Sequence, residues 1–467
     1  MDQQKNDLGR RSLLLAILAL AWPTMLEQLL HTAVQYVDTA MVGSLGTDAV
    51  AAVGSTTTVS WLVGSTVSAF GVGFLSYIAK RLGARDEESA RRASAQAALA
   101  VLVLGVLLTV ITAALSPVIP YLMRVDEGIA DTASLYFLII YLPMLPRCAT
   151  TIFGTVLRAA GDTKSPMLIS LGSNIVNVAL NFFFIYGTRT VTLFGKEVLI
   201  FGTGWGVIGA AIASAIAYTV GGIAVTVIYL CHRRISPIGH PMRPDRAILL
   251  PCMRVAMPNM LQRFGTSLGY VVFASMINAL GGVATAAHTI ANTVESAFYI
   301  PGYGMQTAAA TLAGNSVGEG NEARLRSLVR MFIPIEIALM TISGSALFIS
   351  APYLCAIFSD SAEVIALGTF VLRMVALSEP PYGFSIIIEG VMQGVGKTRL
   401  PFIYNVAGMW GVRILGTFIF TVLLPGGTLV RAWGCMIAHN VLLFILFLIT
   451  YIKGWYNPFR DRVKEDT

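Results

Sequence analysis

Residues 21–26 read Ala-Trp-Pro-Thr-Met-Leu, and 235 positions later residues 256–261 read Ala-Met-Pro-Asn-Met-Leu. The same offset pairs further residues along the chain: Gly46 with Gly281, Gly83 with Gly318, Glu87 with Glu322, Gly161 with Gly396, and Pro166 with Pro401. Because the offset is close to half of the 467 residues, the pattern predicts two tandem copies of one fold.

The composition is typical of a protein that lies in a lipid bilayer. Of all residues, 55% are hydrophobic and 12% are charged, whereas a soluble protein has about 25% charged residues. Apolar stretches long enough to cross a bilayer lie at roughly 12–40, 49–79, 95–119, 132–158, 165–187, 205–230, 250–279, 286–313, 331–356, 367–394, 400–424 and 431–453. We therefore expect an all-α polytopic membrane protein with twelve transmembrane helices in two pseudo-symmetric six-helix bundles. An even number of spans per copy gives both copies the same orientation in the membrane.

Two stretches interrupt the apolar pattern. Residues 231–247 contain three prolines and several charges near the midpoint of the chain, which is typical of a linker. We expect an N-terminal bundle at 1–230, a cytoplasmic linker at 231–247 and a C-terminal bundle at 248–467. Residues 187–204 are rich in β-branched residues and are split by Gly195-Lys196, which predicts a small extracellular hairpin.

The basic residues of the loops predict the orientation. When the spans alternate across the membrane, most loop lysines and arginines fall on one side, and the other side receives Arg124, Arg189, Lys196 and Arg431. Because positively charged loops stay in the cytoplasm, we expect a multi-pass protein of the inner (plasma) membrane with both termini in the cytoplasm. The net charge of +7 then reflects the membrane topology and attraction to anionic lipid. The sequence has no basic stripe interleaved with aromatic residues, so we expect no nucleic-acid partner.

The sequence offers little for catalysis. Its five cysteines have no paired spacing, and no two of its five histidines have zinc-ligand spacing on one helix. We therefore expect free thiols, no transition-metal site, no cofactor and no enzymatic activity. An intramembrane enzyme is the alternative from a different class, but neither a His-Glu-x-x-His nor a Gly-x-Gly-Asp motif supports it.

Motifs spread along the whole chain resemble the multidrug and toxic compound extrusion (MATE) family of secondary transporters. They are Pro23, 37–46, 51–52, 157–166, 177–187, 209–211 and 390–401. The resemblance implies two bundles around a central cavity and export of organic, often cationic compounds, driven by inward flow of Na⁺ or H⁺. We expect a monomer whose partners are the bilayer, the coupling ion and small organic cations or drugs. A flippase for lipids or lipid-linked oligosaccharides, from the same superfamily, is the alternative within transport and would favour a strongly cationic cavity.

Asp38 is the foremost candidate for ion coupling. It lies in a span that is mostly apolar from Leu13 to Met41, and a carboxylate within a membrane span usually faces the bundle interior and has a function. It also matches the first-helix aspartate of the family. Such a group can exchange a proton or bind Na⁺, a hard cation that prefers oxygen ligands, although it could instead cap a helix end at the extracellular mouth.

Amides of the fifth span are candidates to assist Asp38. Asn174, Asn177 and Asn181 are spaced by three and four residues, so they share one helical face. Their side chains could bind Na⁺ with Asp38, donate hydrogen bonds to it, or simply join helices. The resemblance favours a role for Asn177 and implies one for Ser214. We expect a Na⁺ site at Asp38, Asn177 and Asn181.

A second set of polar residues is predicted to line the substrate cavity. Glu27 lies about three helical turns before Asp38 and shares its face, and the repeat offset places Gln262 and Arg263 at the positions of Glu27 and Gln28. An arginine within a span needs a carboxylate partner or water, and the candidate partners are Glu295, Glu379 and Glu389. The predicted cavity residues are Glu27, Gln28, Arg263, Glu295, Tyr382 and Glu389.

The subfamily is predicted from three positions. NorM-like members carry acids in the seventh and tenth spans, where this chain has Thr266 and Tyr382. DinF-like members often carry an aspartate where this chain has Asn181. The pattern is therefore closer to the DinF-like one, with a single first-half carboxylate at the expected ion site.

Overall fold

The computed structural model describes residues 2–122, 127–193 and 196–460, which are almost entirely helical. The first half contains α1 (Asp2–Gly43), α2 (Thr47–Gly83), α3 (Glu87–Leu115), α4 (Ile119–Leu122), α5 (Glu127–Tyr141), α6 (Met144–Ala159), α7 (Lys164–Phe184), β1 (Gly187–Leu193), β2 (Lys196–Thr203) and α8 (Gly206–Cys231). The second half contains α9 (Arg246–Asn278), α10 (Gly282–Gly318), α11 (Glu322–Phe358), α12 (Ala362–Ala376), α13 (Glu379–Gly394), α14 (Arg399–Gly408), α15 (Leu415–Phe418) and α16 (Leu429–Lys453). Two π-helical turns, Met409–Ile414 and Ile419–Leu423, flank α15.

The helices give twelve spans, six in each half, as the sequence predicts. Eight helices are long and apolar enough to cross a membrane, and the bent pair α5–α6 adds a ninth span, counted over the described residues. The more polar helices α9 and α10 and the pair α12–α13 complete the twelve. Large apolar side chains on the outer face of α3, among them Leu102, Val106 and Val110, are exposed, as expected for a surface in contact with lipid.

Prolines account for the two broken spans. Helix α5 ends at Tyr141 and α6 begins after Pro143, and the two axes differ by 48°. In the second half, α12 ends at Ala376, and Pro380 and Pro381 fall in the first turn of α13. Proline lacks the backbone N–H that a continuous helix needs, and the first turn of a helix tolerates it. Both breaks lie at the same place in the repeat.

The tight turns after the first helix of each half are also equivalent. Gly46 has φ 110° and Gly281 has φ 108°, a left-handed region that favours glycine because it has no Cβ. The 235-residue offset of the sequence is thus reproduced in backbone conformation.

The predicted hairpin is present. Strands β1 and β2 pair antiparallel, with Arg189 opposite Ile200 and Thr190 opposite Leu199. A register irregularity lies between Gly187 and Arg189. The hairpin connects α7 to α8, and these two helices carry most of the predicted ion-site residues.

The chain folds into two compact units. The N unit comprises Leu29–Phe74 and Glu87–Leu249, and the C unit comprises Met1–Gln28, Leu75–Asp86 and Leu250–Thr467. The predicted domain boundaries therefore differ from the compact units, because the start of α1 and the end of α2 pack with the second half of the chain. In the C unit, Ile17, Leu20 and Ala21 of α1 belong to one core with Met305 and Leu312 of α10.

The predicted linker packs within the N unit. Arg234 Nε lies 3.0 Å from Glu87 Oε1, and Arg91 donates to the Arg233 carbonyl at 2.7 Å. Gln96 donates to the Arg243 carbonyl at 2.8 Å and accepts from the Asp245 amide at 3.0 Å. These bonds hold the linker against α3.

Candidate functional site

Asp38 belongs to a hydrogen-bonded cluster in the N unit. Helix α1 carries Asp38, α7 carries Asn177 and Asn181, and α8 carries Ser214. Asn181 Nδ2 donates to Asp38 Oδ1 at 2.6 Å. Asn177 and Asn181 are 5% and 1% exposed, whereas Asp38 is partly exposed. Four of the five predicted ion-coupling residues are therefore brought together.

The Asn177 amide can face Asp38 with either of its polar atoms. With nitrogen toward the carboxylate, Nδ2 donates to Asp38 Oδ1 at 2.8 Å, and Oδ1 accepts from Ser214 Oγ at 3.0 Å. With oxygen toward the carboxylate, Nδ2 donates to Ser214 Oγ at 3.0 Å, and Oδ1 accepts from Asn181 Nδ2 at 3.2 Å. The first orientation satisfies the carboxylate with N–H groups, and the second turns an amide oxygen toward it.

Oxygen ligands are therefore available around Asp38. Asn181 Oδ1 is buried and has no hydrogen-bond partner in the described structure. Hard cations bind to carboxylate, amide and hydroxyl oxygens, so the donor set of Asp38, Asn177, Asn181 and Ser214 fits Na⁺. Asn174 lies on the same helix, but its Nδ2 is buried without a partner among the described residues, so the hydrogen bonds do not bring it into this cluster.

Three tyrosines and an arginine of the N unit were not predicted, and one of the tyrosines lies near Asp38. Tyr136 of α5 is 8% exposed and interacts electrostatically with Asp38. The Arg147 guanidinium lies 4.9 Å from the Tyr141 ring centre and 4.5 Å from that of Tyr218. No sequence pattern indicated these contacts, because α5, α6 and α8 meet only in the folded N unit.

The C unit contains a second polar cluster, centred on Glu389. Gln262 Nε2 and Gln393 Nε2 donate to Glu389 Oε1 at 2.9 and 3.1 Å, and Asn405 Nδ2 donates to Glu389 Oε2 at 3.2 Å. Gln262 Oε1 is buried without a partner in the part of the chain that the structure describes. Three amide donors are a favourable environment for a carboxylate.

The expected ion pair between Arg263 and a carboxylate is not formed among the described residues. Arg263 Nε instead donates to the side-chain oxygen of Asn259 at 3.0 Å, and its charge acts on Glu389 only at longer range. Asn259 is one helical turn before Arg263, so an amide oxygen of the same helix accepts one of the N–H groups of the guanidinium. Asn259, Gln393 and Asn405 were not among the predicted cavity residues.

Tyr382 and Glu295 contact different groups of the C unit. The hydroxyls of Tyr382 and Tyr303 are 2.9 Å apart, and Tyr303 interacts electrostatically with Glu389 and Arg263. Glu295 interacts electrostatically with Glu379 and Arg413. Tyr299 links the two groups. Its ring centre is 5.9 Å from that of Tyr303 and 6.3 Å from that of Tyr382, and it also interacts electrostatically with Glu295 and Glu379.

Arg413 is a buried cation within the first π-helical turn. It is 4% exposed, and its guanidinium lies 5.1 Å from the Tyr270 ring centre and 5.5 Å from that of Phe273. The faces of aromatic rings attract cations electrostatically. Together with Glu295, these rings stabilise a charge that would otherwise be costly within the membrane.

Glu27 and Gln28 lie on α1 in the C unit, whereas Asp38 lies in the N unit. Glu27 is partly exposed and Gln28 is exposed. The predicted cavity residues thus fall into three groups. One lies on α1, a second lies around Glu389, and a third lies around Glu295.

Known proteins resemble the chain along nearly its whole length. "Probable multidrug resistance protein NorM" of Thermotoga maritima is 26% identical over 96% of this chain and 95% of its own length. "Multidrug resistance protein MdtK" of Edwardsiella ictaluri is 25% identical over 85% of each chain. A structure described as the outward-facing conformation of a multidrug resistance MATE family transporter has a TM-score of 0.85, with 24% identity over 94% of this chain and 95% of that one. A MATE structure in complex with MaL6 has a TM-score of 0.86, with 23% identity over 94% of this chain and 95% of that one.

The family model named MatE matches the chain twice, at residues 23–183 and 258–419. The two matches begin 235 residues apart, which is the offset of the internal repeat. Together they cover more than half of the chain. The chain therefore belongs to the MATE family of membrane transporters.

Proposed function

We propose that the protein is a secondary antiporter that exports organic cations across the plasma membrane by alternating access. Inward movement of Na⁺ or H⁺ through the Asp38 cluster supplies the energy. Both termini lie in the cytoplasm, and the transporter acts as a monomer. The names of the relatives as multidrug resistance proteins support a drug-like substrate.

The observation that carries this proposal is the Asp38 cluster. A carboxylate on α1 is held by amides of α7, and one buried amide oxygen there has no partner among the described residues. The Asp38 carboxylate and the amide oxygens of Asn177 and Asn181 supply the oxygen ligands for Na⁺. Protonation of the same carboxylate also removes its negative charge, so Na⁺ and H⁺ compete for one site.

The acids of the C unit provide the attraction for a cationic substrate. Glu389 is partly exposed and is fixed by three amides, so it can interact with an organic cation without a large change of its own position. Tyr303 and Tyr382 beside it present aromatic faces that favour cations. The flippase alternative has no comparable support, since these predicted cavity positions are mixed in charge.

Asp38→Asn tests the proposal. We expect efflux of ethidium from proteoliposomes, driven by an imposed Na⁺ gradient at fixed pH or by a pH gradient without Na⁺, to fall to the rate of protein-free liposomes. The amide is similar in shape but cannot carry the charge that balances the ion. Titration of the wild-type rate with Na⁺ at fixed pH identifies the coupling ion.

The matched control is Asp131→Asn, because Asp131 is exposed on α5. It should transport as the wild type does. Gradient-driven efflux by a well-folded Asp38→Asn protein at the wild-type rate would refute the role of Asp38.

A further inference from the structure

The end of α2 makes close backbone contact with the end of α10 within the C unit. A Cβ atom added at Gly83 would overlap the Asn315 carbonyl oxygen, and one added at Gly318 would overlap the Lys80 carbonyl oxygen. A Cβ added at Gly314 would lie 2.8 Å from the Cβ of Ala79. Small residues spaced by four allow helix backbones to approach in this way within membranes.

This crossing is symmetric with respect to the internal repeat. At an offset of 235, Gly83 corresponds to Gly318, and Lys80 corresponds to Asn315. Gly83 of α2 lies against the Asn315 carbonyl of α10, and Gly318 of α10 lies against the Lys80 carbonyl of α2. The two contacts are therefore equivalent under the repeat. A contact between equivalent positions is expected where the two copies of a duplicated transporter meet at their symmetry axis.

Two side chains of α2 add hydrogen bonds to the end of α13. Lys80 Nζ donates to the Val395 carbonyl at 2.9 Å, and Ser76 Oγ donates to the Gly394 carbonyl at 2.9 Å. The last carbonyls of a helix lack intrahelical partners and lie at the negative end of its dipole. The ammonium group of Lys80 is therefore well suited to the end of α13. The turn that follows α13 also contacts α9, because Thr398 Oγ1 donates to the Val255 carbonyl at 3.0 Å.

We propose that Lys80 is a positioning residue of the transport cycle. It holds the end of α2 against α10 and α13 and so keeps the cytoplasmic ends of the two repeats closed. Opening toward the cytoplasm requires Lys80 and Ser76 to leave the α13 carbonyls and the two glycines to separate. The placement of this contact on the cytoplasmic side rests on the proposed orientation, whereas the contact itself does not.

Cys252 provides a reporter for this movement. It lies on α9, is 2% exposed, and interacts electrostatically with Lys80. The other four cysteines, Cys148, Cys231, Cys355 and Cys435, are replaced by alanine. The rate at which a membrane-impermeant maleimide labels Cys252 in inside-out vesicles then measures how often this end opens.

Three variants are compared with the wild type. We expect Lys80→Met and Gly83→Ala to label several-fold faster, because each weakens the closed contact, while Lys80→Arg labels at nearly the wild-type rate because it retains a cationic donor. Removal of an ammonium disfavours the thiolate, so faster labelling of Lys80→Met cannot come from a more reactive thiol. Gly64→Ala is the matched control on the same helix, since no atom lies within 4 Å of its added Cβ.

Several outcomes would overturn the proposal. Wild-type labelling rates for both Lys80→Met and Gly83→Ala would show that neither controls opening. Faster labelling accompanied by a lowered melting temperature in Lys80→Met, with no rescue by Lys80→Arg, would assign Lys80 a purely structural role. Faster labelling only in right-side-out vesicles would place the contact at the opposite face. The same variants made in a protein that also carries Asp38→Asn separate this test from ion coupling. Lys80→Met and Gly83→Ala should still label faster in that protein, even though it no longer transports.

Discussion

At the scale of single residues, the candidate ion site around Asp38 shows how much of the side-chain arrangement could be predicted from the sequence. Asp38 was recognisable because it is one of two acids in a mostly apolar span, and Asn177 and Asn181 because their spacing places them on one face. The partner of Arg263 was not recognisable. A guanidinium can be satisfied by any acceptor that the fold brings near it, and here Asn259 lies one turn away on the same helix.

Asn181→Asp is predicted to change the ion preference. Because Asn181 lies 2.6 Å from Asp38, two carboxylates at this distance cannot both be ionised, and one retains a proton. Efflux should then depend more on the pH gradient and less on the Na⁺ gradient. The ratio of the two driven rates in proteoliposomes measures the change.

Asn174→Asp serves as the control for this prediction. It introduces the same charge on the same helix, outside the hydrogen-bonded cluster. An unchanged ratio of rates for Asn181→Asp, or an equal change for Asn174→Asp, would contradict the assignment of Asn181 to the ion site.

At the scale of secondary-structure elements, the sequence predicted more than it did for side chains. The hairpin at 187–204 was predicted from its β-branched residues and the Gly195-Lys196 split. The spans at 132–158 and 367–394 were predicted as continuous, and the structure breaks them at Pro143 and at Pro380-Pro381. The division of α1 and α2 between two compact units could not be predicted. The local sequence of α1 and α2 contains no signal for this division. Tertiary packing alone determines which unit each end of the two helices belongs to.

Helices α7 and α8 must lie close together for Asn177 to contact Ser214 in the candidate ion site. A Cβ added at Gly209 would overlap the Phe184 carbonyl oxygen. Gly209→Ala should therefore move α8 away from α7 and destabilise the protein by about 1–3 kcal/mol. A lower melting temperature in detergent and slower ion-driven efflux would follow, because Ser214 moves away from Asn177.

Gly172→Ala on α7 is the control for this element, since an added Cβ there has no atom within 4 Å. Equal melting temperatures for the two variants would show that the α7–α8 approach is more tolerant than the structure indicates.

At the scale of the whole molecule, the repeat was the most reliable signal. The offset of 235 residues recurs in the glycine turns at Gly46 and Gly281 and in the two matches to the family model. The identities of the coupling ion and the substrate could not be predicted from the repeat, because transporters with the same pattern of spans carry many different substrates. They depend on side chains whose contacts form only in the folded protein.

The orientation can be tested with truncated fusions. We expect alkaline phosphatase fused after Gly204 to be active, because the hairpin lies outside, and green fluorescent protein fused after His240 to be fluorescent, because the linker lies inside. Full-length protein with a C-terminal fluorescent fusion is the control for the cytoplasmic terminus. Active phosphatase after His240 would reverse the proposed topology.

The buried guanidinium in the first π-helical turn has a consequence for energy conversion. The repeat places Phe273 at the position of Asp38, and Arg413 lies over that ring. An arginine is permanently charged and covalently attached, so the second copy holds at this place a cation that never leaves. Under the proposed function, the first copy carries an exchangeable charge at this position and the second copy a fixed one, and we expect the stoichiometry of transport to be set by the first copy alone.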